Sequence, residues 1–145
     1  MGEGGNLTIH FLSRKELERF SVDEVTASTL RRLGSGGCFF LTFQNPPGHI
    51  VKGIIAVNIE FQQQYIRHCL LEELTQSLGL PNDSDVMRPS IFSRVDRLLE
   101  LSPLDVLLLR ALYHPNVLPG LTRSEARMPV RAVISELAGQ GIQNH

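Results

Sequence analysis

The chain has almost no excess charge: 14 Lys and Arg against 15 Asp and Glu leave a formal net charge of -1 over 145 residues. Proteins that bind nucleic acid usually carry a strong basic patch, so no nucleic-acid partner is expected. Long apolar runs are missing too. Runs such as Val106-Leu107-Leu108-Leu109 fall far short of the roughly 20 residues that cross a bilayer, so no transmembrane segment is expected. Cysteine is scarce: Cys38 and Cys69 are too few for a disulfide framework and do not form a paired zinc-ligand motif. There is no internal repeat and no low-complexity stretch. The start, Met1-Gly2-Glu3-Gly4-Gly5-Asn6, lacks the basic-then-apolar layout of a signal peptide. Residues 1–6 read as a flexible lead of the kind that can stand where such a signal was replaced, and the compartment stays open on this reading.

What is present suits one compact domain over 1–145. With 42% apolar and 20% charged residues, a chain of this length can bury a core that supports itself. Leu7-Thr8-Ile9-His10-Phe11-Leu12 alternates as a strand, with Leu7, Ile9 and Phe11 on one face. Asp23 to Leu33 reads as a helix, capped by Ser21 or Asp23 and ended by Gly34, Gly36 and Gly37. Cys38 to Phe43 is a β-prone run stopped by Asn45-Pro46-Pro47-Gly48, and Ile50 to Phe61 forms the second strand of a hairpin. From about Gln63 to Leu78 the pattern turns helical, with Leu70, Leu71, Leu74 and Leu78 on an arc that faces the core. Two helices close the chain: Leu101 to Tyr113, with Ser102 as cap and Pro103 at the first helical position, and Arg123 to Leu137, where Pro129 is a candidate interruption. Strands lead and helices follow, so the expected class is α+β, helices on one mixed sheet.

The other side of the middle helix is polar. His68, Glu72 and Gln76 stand at successive i,i+4 positions, with Glu73 beside them, and Gly79 then Pro81-Asn82-Asp83 turn the chain away. A zincin sets two histidines one helical turn apart to reach one metal, with a glutamate beside the first as general base. Metzincins extend the pattern to H-E-x-x-H-x-x-G-x-x-H, where the glycine lets a third ligand swing round. The run Glu72-Glu73-Leu74-Thr75-Gln76-Ser77-Leu78-Gly79-Leu80-Pro81-Asn82 keeps the glutamate as Glu73 and the glycine as Gly79, while Glu72, Gln76 and Asn82 occupy the ligand positions. Downstream, Ser90-Ile91-Phe92 looks like a Met-turn with Phe92 in place of methionine, and Leu101 to Tyr113 resembles the closing helix of that superfamily. The chain thus resembles a degenerate metzincin-type, zincin-like domain. It is also similar to a bacterial domain family of unknown function carrying E-E-x-x-Q-x-L-G-L-x-N-D, then S-I-F, then L-x-x-x-D-x-x-L-L-R-x-L-Y and a Pro-Gly. Here these are Glu72-Glu73 to Asn82-Asp83, Ser90-Ile91-Phe92, Leu101 to Tyr113 and Pro119-Gly120. Members of that family look exported or like lipoproteins, so the resemblance implies a periplasmic, exported or lipid-anchored protein.

Without the histidines, no metal and no cofactor are expected. Glu73 as a base would have no metal-activated water to act on, and a role in holding the cleft is the plainer reading. Glu72, Gln76, Asn82 and Asp83 offer oxygen donors suited to calcium or magnesium, but too few firm carboxylates for such a site. His68 is expected to form a solvated pair with Glu72. Adjacent Glu72 and Glu73 diverge by about 100° on a helix and do not suit a two-carboxylate glycosidase. Cys38 and Cys69 are either a staple between strand and helix, worth about 2–4 kcal/mol in an oxidising compartment, or two buried small hydrophobes. Gly34-Ser35-Gly36-Gly37 precedes a strand and reads as a turn, not a phosphate loop. Arg110, Arg123, Arg127 and Arg131 read as helix surface charge. Two functions follow. The first is a non-catalytic module that takes a peptide or protein by strand addition in the former substrate groove, beside Ile50 to Phe61. The alternative is a divergent, metal-assisted hydrolase of peptidase type with Glu73 as base and an oxygen-ligand site. The oligomeric state is open.

Overall fold

A computed structural model of the chain describes residues 6–22 and 37–142. The helix expected over Asp23–Leu33, the turn residues Gly34, Ser35 and Gly36, and the lead over Met1–Gly5 lie outside the described residues. The described elements are β1 (Leu7–Leu12), α1 (Arg14–Arg19), β2 (Cys38–Gln44), β3 (Ile50–Asn58), α2 (Gln63–Ser77), α3 (Pro103–Leu112) and α4 (Arg123–Ile142). The class is α+β, with a three-stranded mixed sheet in the order β1-β3-β2, β1 running parallel to β3.

The chain divides into two compact units. The first takes in the described residues up to Phe43 and Ile50–Asn82; the second is Gln44–His49 with Asp83 onward. In the first unit β3 is the central strand, and its run Ile54-Ile55-Ala56-Val57 is buried throughout. A strand covered on both faces reads as a continuous apolar run because successive side chains point to opposite sides. Ile54 and Ala56 join Phe39, Leu17 and Val22 in one cluster, under α1. Ile55 and Val57 join Cys38 and Cys69 in the other, with Phe40, Tyr65, Ile66, Leu70 and Leu74 packed against it.

Helix α1 was not anticipated, although Ser13-x-x-Glu16 carries its signal. The Ser13 hydroxyl accepts from the Glu16 N–H at 3.3 Å while the Glu16 carboxylate accepts from the Ser13 N–H at 2.7 Å, satisfying two of the orphan donors at a helix start. The same reciprocal bonding opens α3 through Ser102 and Asp105 and α4 through Thr122 and Glu125. In α4 Pro129 does not end the helix, which runs through it to Ile142.

In the second unit α3 and α4 pack around Ala111, Val133 and Leu137. The turn Gln44–His49 closes with Asn45 N–H on His49 O and His49 N–H on Pro46 O, both 3.0 Å. Gly48 has φ +85°, and a Cβ there would run into the backbone of Gly120, which itself has φ +80°. Gly48→Ala is therefore expected to cost about 2 kcal/mol from left-handed backbone strain and the clash, read as a lower midpoint in urea unfolding; an unchanged midpoint would show that the two backbones can part freely. No helix among the described residues is long and apolar enough to cross a membrane.

Candidate functional site

Of the leucine arc expected to face the core, Leu70 and Leu74 pack against it, but the most deeply buried residues of α2 lie to one side of that arc. His68, Cys69, Thr75, Gln76 and Ser77 are its buried residues, Leu70, Leu71 and Leu74 are half-buried, and Leu78 is exposed. Cys69, on that face, is bonded to Cys38 at the start of β2, with Cα atoms 6.2 Å apart. The bond closes a loop of 31 residues in sequence separation.

This orientation of α2 carries polar positions inward. His68 is only 3% exposed, with Nε2 3.5 Å from a Glu72 carboxylate oxygen. The pair is thus buried on its histidine side, not solvated as its helix-surface spacing suggested. Gln76 is buried and Glu72 and Glu73 are half-buried. Thr75 and Ser77 turn their hydroxyls back onto the carbonyls of Leu71 and Leu74, at 2.6 and 2.7 Å, the way such residues satisfy themselves inside helices. The helix stops at Leu78, and Gly79 follows with φ +124° and its N–H on Gln76 O at 3.0 Å, a conformation that suits glycine at this position. Asn82 is exposed and ends the first unit; Asp83 is exposed and begins the second.

Spacing alone did not disclose one grouping. Cys69 and Glu73 lie at i,i+4 on α2, and a carboxylate oxygen of Glu73 comes within 4.8 Å of both sulfur positions of Cys38 and Cys69. Among the described residues this is the one group of three His, Cys, Asp or Glu donors close enough to share an ion. Glu72 belongs to no such group among these residues.

In the second unit, residues Asp83 to Leu101 form no regular element, and carboxylates organise them. Asp105, at the start of α3, is 0% exposed and accepts from Ser90 Oγ at 2.6 Å, Ile91 N at 3.0 Å and Ser102 N at 2.8 Å. Ser90, Ile91 and Phe92, singled out as Met-turn-like, are all buried, and the Phe92 N–H returns to Ser90 Oγ at 3.1 Å. Asp85 accepts from Ser93 Oγ and the Arg94 N–H, both at 3.0 Å, and pairs with the Arg94 guanidinium at 2.9 Å. Burial would raise the Asp85 carboxyl, but the bonds from Ser93 and Arg94 and the Arg94 charge together carry it below its ordinary value.

Asp96 is clamped by the Arg88 guanidinium, with Nε 3.2 Å from both carboxylate oxygens, and accepts the Ser90 N–H at 3.1 Å. The Arg88 bond, opposed by burial and aided by Ser90, holds this carboxyl down to about 2 from its usual 3.8. A lowered carboxyl contributes stability that is complete above its unfolded value and is lost as the pH falls through its folded one. Between about pH 4 and pH 2 the wild type should lose stability in a step that Asp96→Asn flattens, the variant being weaker at neutral pH. Urea midpoints measured across that range check it, and parallel pH profiles for the two chains would rule out the clamp.

Taken together, these observations define an α+β protein with a cross-linked strand–helix unit and a carboxylate-organised loop ahead of its closing helices. Residues 1–132 match the family described as a protein of unknown function (DUF2927), and the chain belongs to that family. No curated protein and no solved structure matches it.

Proposed function

We propose that the chain is a non-catalytic module of zincin-like ancestry that binds an extended peptide or protein segment along the edge of its sheet. The observation that carries this reading is the outer edge of β1. Asn6 O and Leu12 O accept from Gly53 and Ile59 of the β3 side, at 2.8 and 2.9 Å. In the parallel register the even-numbered residues of β1 therefore bond to β3, and Leu7, Ile9 and Phe11 turn their N–H and C=O groups away from it. Those three residues are also exposed, and no strand pairs with this edge among the described residues. An added strand takes affinity from main-chain hydrogen bonds and selectivity from alternate side chains. Strand addition beside β3 itself, where the groove was first expected, has no free edge, because β1 and β2 flank it.

Gln76, the middle of the three positions aligned with zinc ligands, is buried, and this supports a non-catalytic role for it, since a residue turned into the core is poorly placed to meet substrate. The Cys38–Cys69 bond suits an exported protein, disulfides being rare in reducing compartments.

Selection from a displayed library of extended peptides tests the reading. Ile9→Pro removes an outward N–H without touching the ladder to β3, a change an edge strand tolerates. Selected peptides should bind this variant roughly tenfold or more weakly, the loss of about 1.4 kcal/mol or more, while its circular dichroism stays that of the parent. Equal binding, or no selected peptide, rejects the edge as the site. Turnover of a peptide by the parent and not by Glu73→Gln would instead establish the alternative, a hydrolase using Glu73 as base.

A further inference from the structure

We propose that Cys38, Cys69 and Glu73 form a zinc site when the chain is reduced, so that the disulfide and the metal are alternative occupants of one place in the fold. This does not depend on how the sheet edge is used. Three observations carry it. The donors lie within 4.8 Å of one another. Two of them, Cys69 and Glu73, are held one turn apart on a 15-residue helix, the spacing by which a helix offers two side chains to one ion. The third, Cys38, opens a strand whose Cα lies 6.2 Å from that of Cys69. Tetrahedral zinc with Zn–S near 2.3 Å and Zn–O near 2.1 Å sets its ligand atoms about 3.6–3.8 Å apart. The two sulfurs, once unbonded, need only separate to that distance, and Glu73 need only close by about 1 Å.

The donor set also selects the metal. Two thiolates with one carboxylate favour zinc over calcium or magnesium, which prefer all-oxygen sites with more ligands. Three protein ligands leave a fourth position for water, and both cysteines are buried, so the site would be shielded.

The chemistry balances in two steps. A dithiol reductant transfers two electrons and two protons to the Cys38–Cys69 bond, which breaks to two thiols while the reductant closes to its own disulfide. Zinc then binds both sulfurs and the Glu73 carboxylate, and the two thiol protons pass to solvent. In the reverse direction a disulfide-bearing oxidant accepts two electrons from the two thiolates and two protons from solvent and becomes a dithiol, the Cys38–Cys69 bond re-forms, and zinc leaves because two of its three protein ligands are gone.

The test uses the whole chain, reduced with a dithiol that is then removed without air, and titrated with zinc or with cobalt as a coloured surrogate. The reduced chain should take up zinc stoichiometrically in equilibrium dialysis, give thiolate-to-cobalt charge-transfer absorption, and release protons on binding; the disulfide form should do none of these. Glu73→Gln, with both thiols intact, should bind roughly tenfold or more weakly, and Cys69→Ser should lose the charge-transfer band. If reduction loosens the fold, zinc should restore its circular dichroism. The proposal is overturned by a reduced chain with two titratable thiols and no stoichiometric zinc, by equal affinity in Glu73→Gln, or by a loosened fold that zinc does not restore.

Discussion

Asp105→Ala should lower the unfolding free energy by about 3–5 kcal/mol, among the largest effects of any single side-chain truncation in the second unit. The carboxylate is fully buried and accepts three hydrogen bonds, from Ser90 Oγ, Ile91 N and Ser102 N. Bonds to a charged acceptor contribute about 1.5–3 kcal/mol each, and removing the acceptor strands buried donors that then carry their full desolvation cost. The cap of α3 is weakened in the same stroke, because Asp105 is the reciprocal partner of Ser102. Ser90→Ala takes away one donor and should cost only about 1–2 kcal/mol. Asp105→Asn should fall between them, since an amide keeps one acceptor oxygen but turns two N–H groups towards donors. Urea unfolding followed by circular dichroism orders the three variants. If Asp105→Ala came within about 1 kcal/mol of the parent, the buried turn at Ser90-Ile91-Phe92 would have to be held by its packing alone.

The strands were legible because β-prone runs and a Pro-Pro-Gly turn mark them locally: β1 falls on Leu7–Leu12 and the hairpin on Cys38–Gln44 and Ile50–Asn58. The start of α3 was equally readable, Ser102 and Pro103 standing at N-cap and N1. Other features depend on partners distant in sequence, and no local pattern carries them. The rotation of α2 is one. A helical wheel weights leucine, so it points Leu70, Leu71, Leu74 and Leu78 inward; Leu70 and Leu74 do pack on the core, yet the most deeply buried side carries His68, Cys69 and Gln76, and the partner of Cys69 lies 31 residues earlier in sequence. The central place of β3 is another, because strand order is set by the parallel pairing of β1 across a crossover. The loop from Asp83 to Leu101 left no periodic trace at all: its order comes from Asp85, Asp96 and Asp105 bonding to backbone and arginine groups several residues away.

The candidate site divides along the same line. Glu72, Glu73, Gln76 and Gly79 could be picked out because a metal-helix motif has fixed spacing, and Gly79 sits at the turn that the spacing requires. What could not be read was that Glu73 would face a pair of cysteines. Cys69-x-x-x-Glu73 is visible in the sequence once Cys38 is known to lie opposite, but only the fold of the hairpin supplies that third member.

Reduction of the Cys38–Cys69 bond in metal-free protein should cost about 3–4 kcal/mol of stability. The bond joins residues 31 apart in sequence, and in the chain-entropy account a closed loop of that length restricts the unfolded chain by about that amount. Native packing should change little, since both sulfurs stay buried beside Ile55 and Val57. The loss should therefore appear as a lower urea midpoint with a similar folded-state circular dichroism. The double variant Cys38→Ala, Cys69→Ala should fall somewhat further, because it also gives up buried sulfur contacts at a site where Leu70 and Leu74 pack. Comparing oxidised and reduced chains of the same sequence isolates the cross-link from those contacts. Equal midpoints for the two forms, after a thiol count confirms that reduction is complete, would mean that the α2 face is held by packing and that the bond constrains nothing the fold does not already fix.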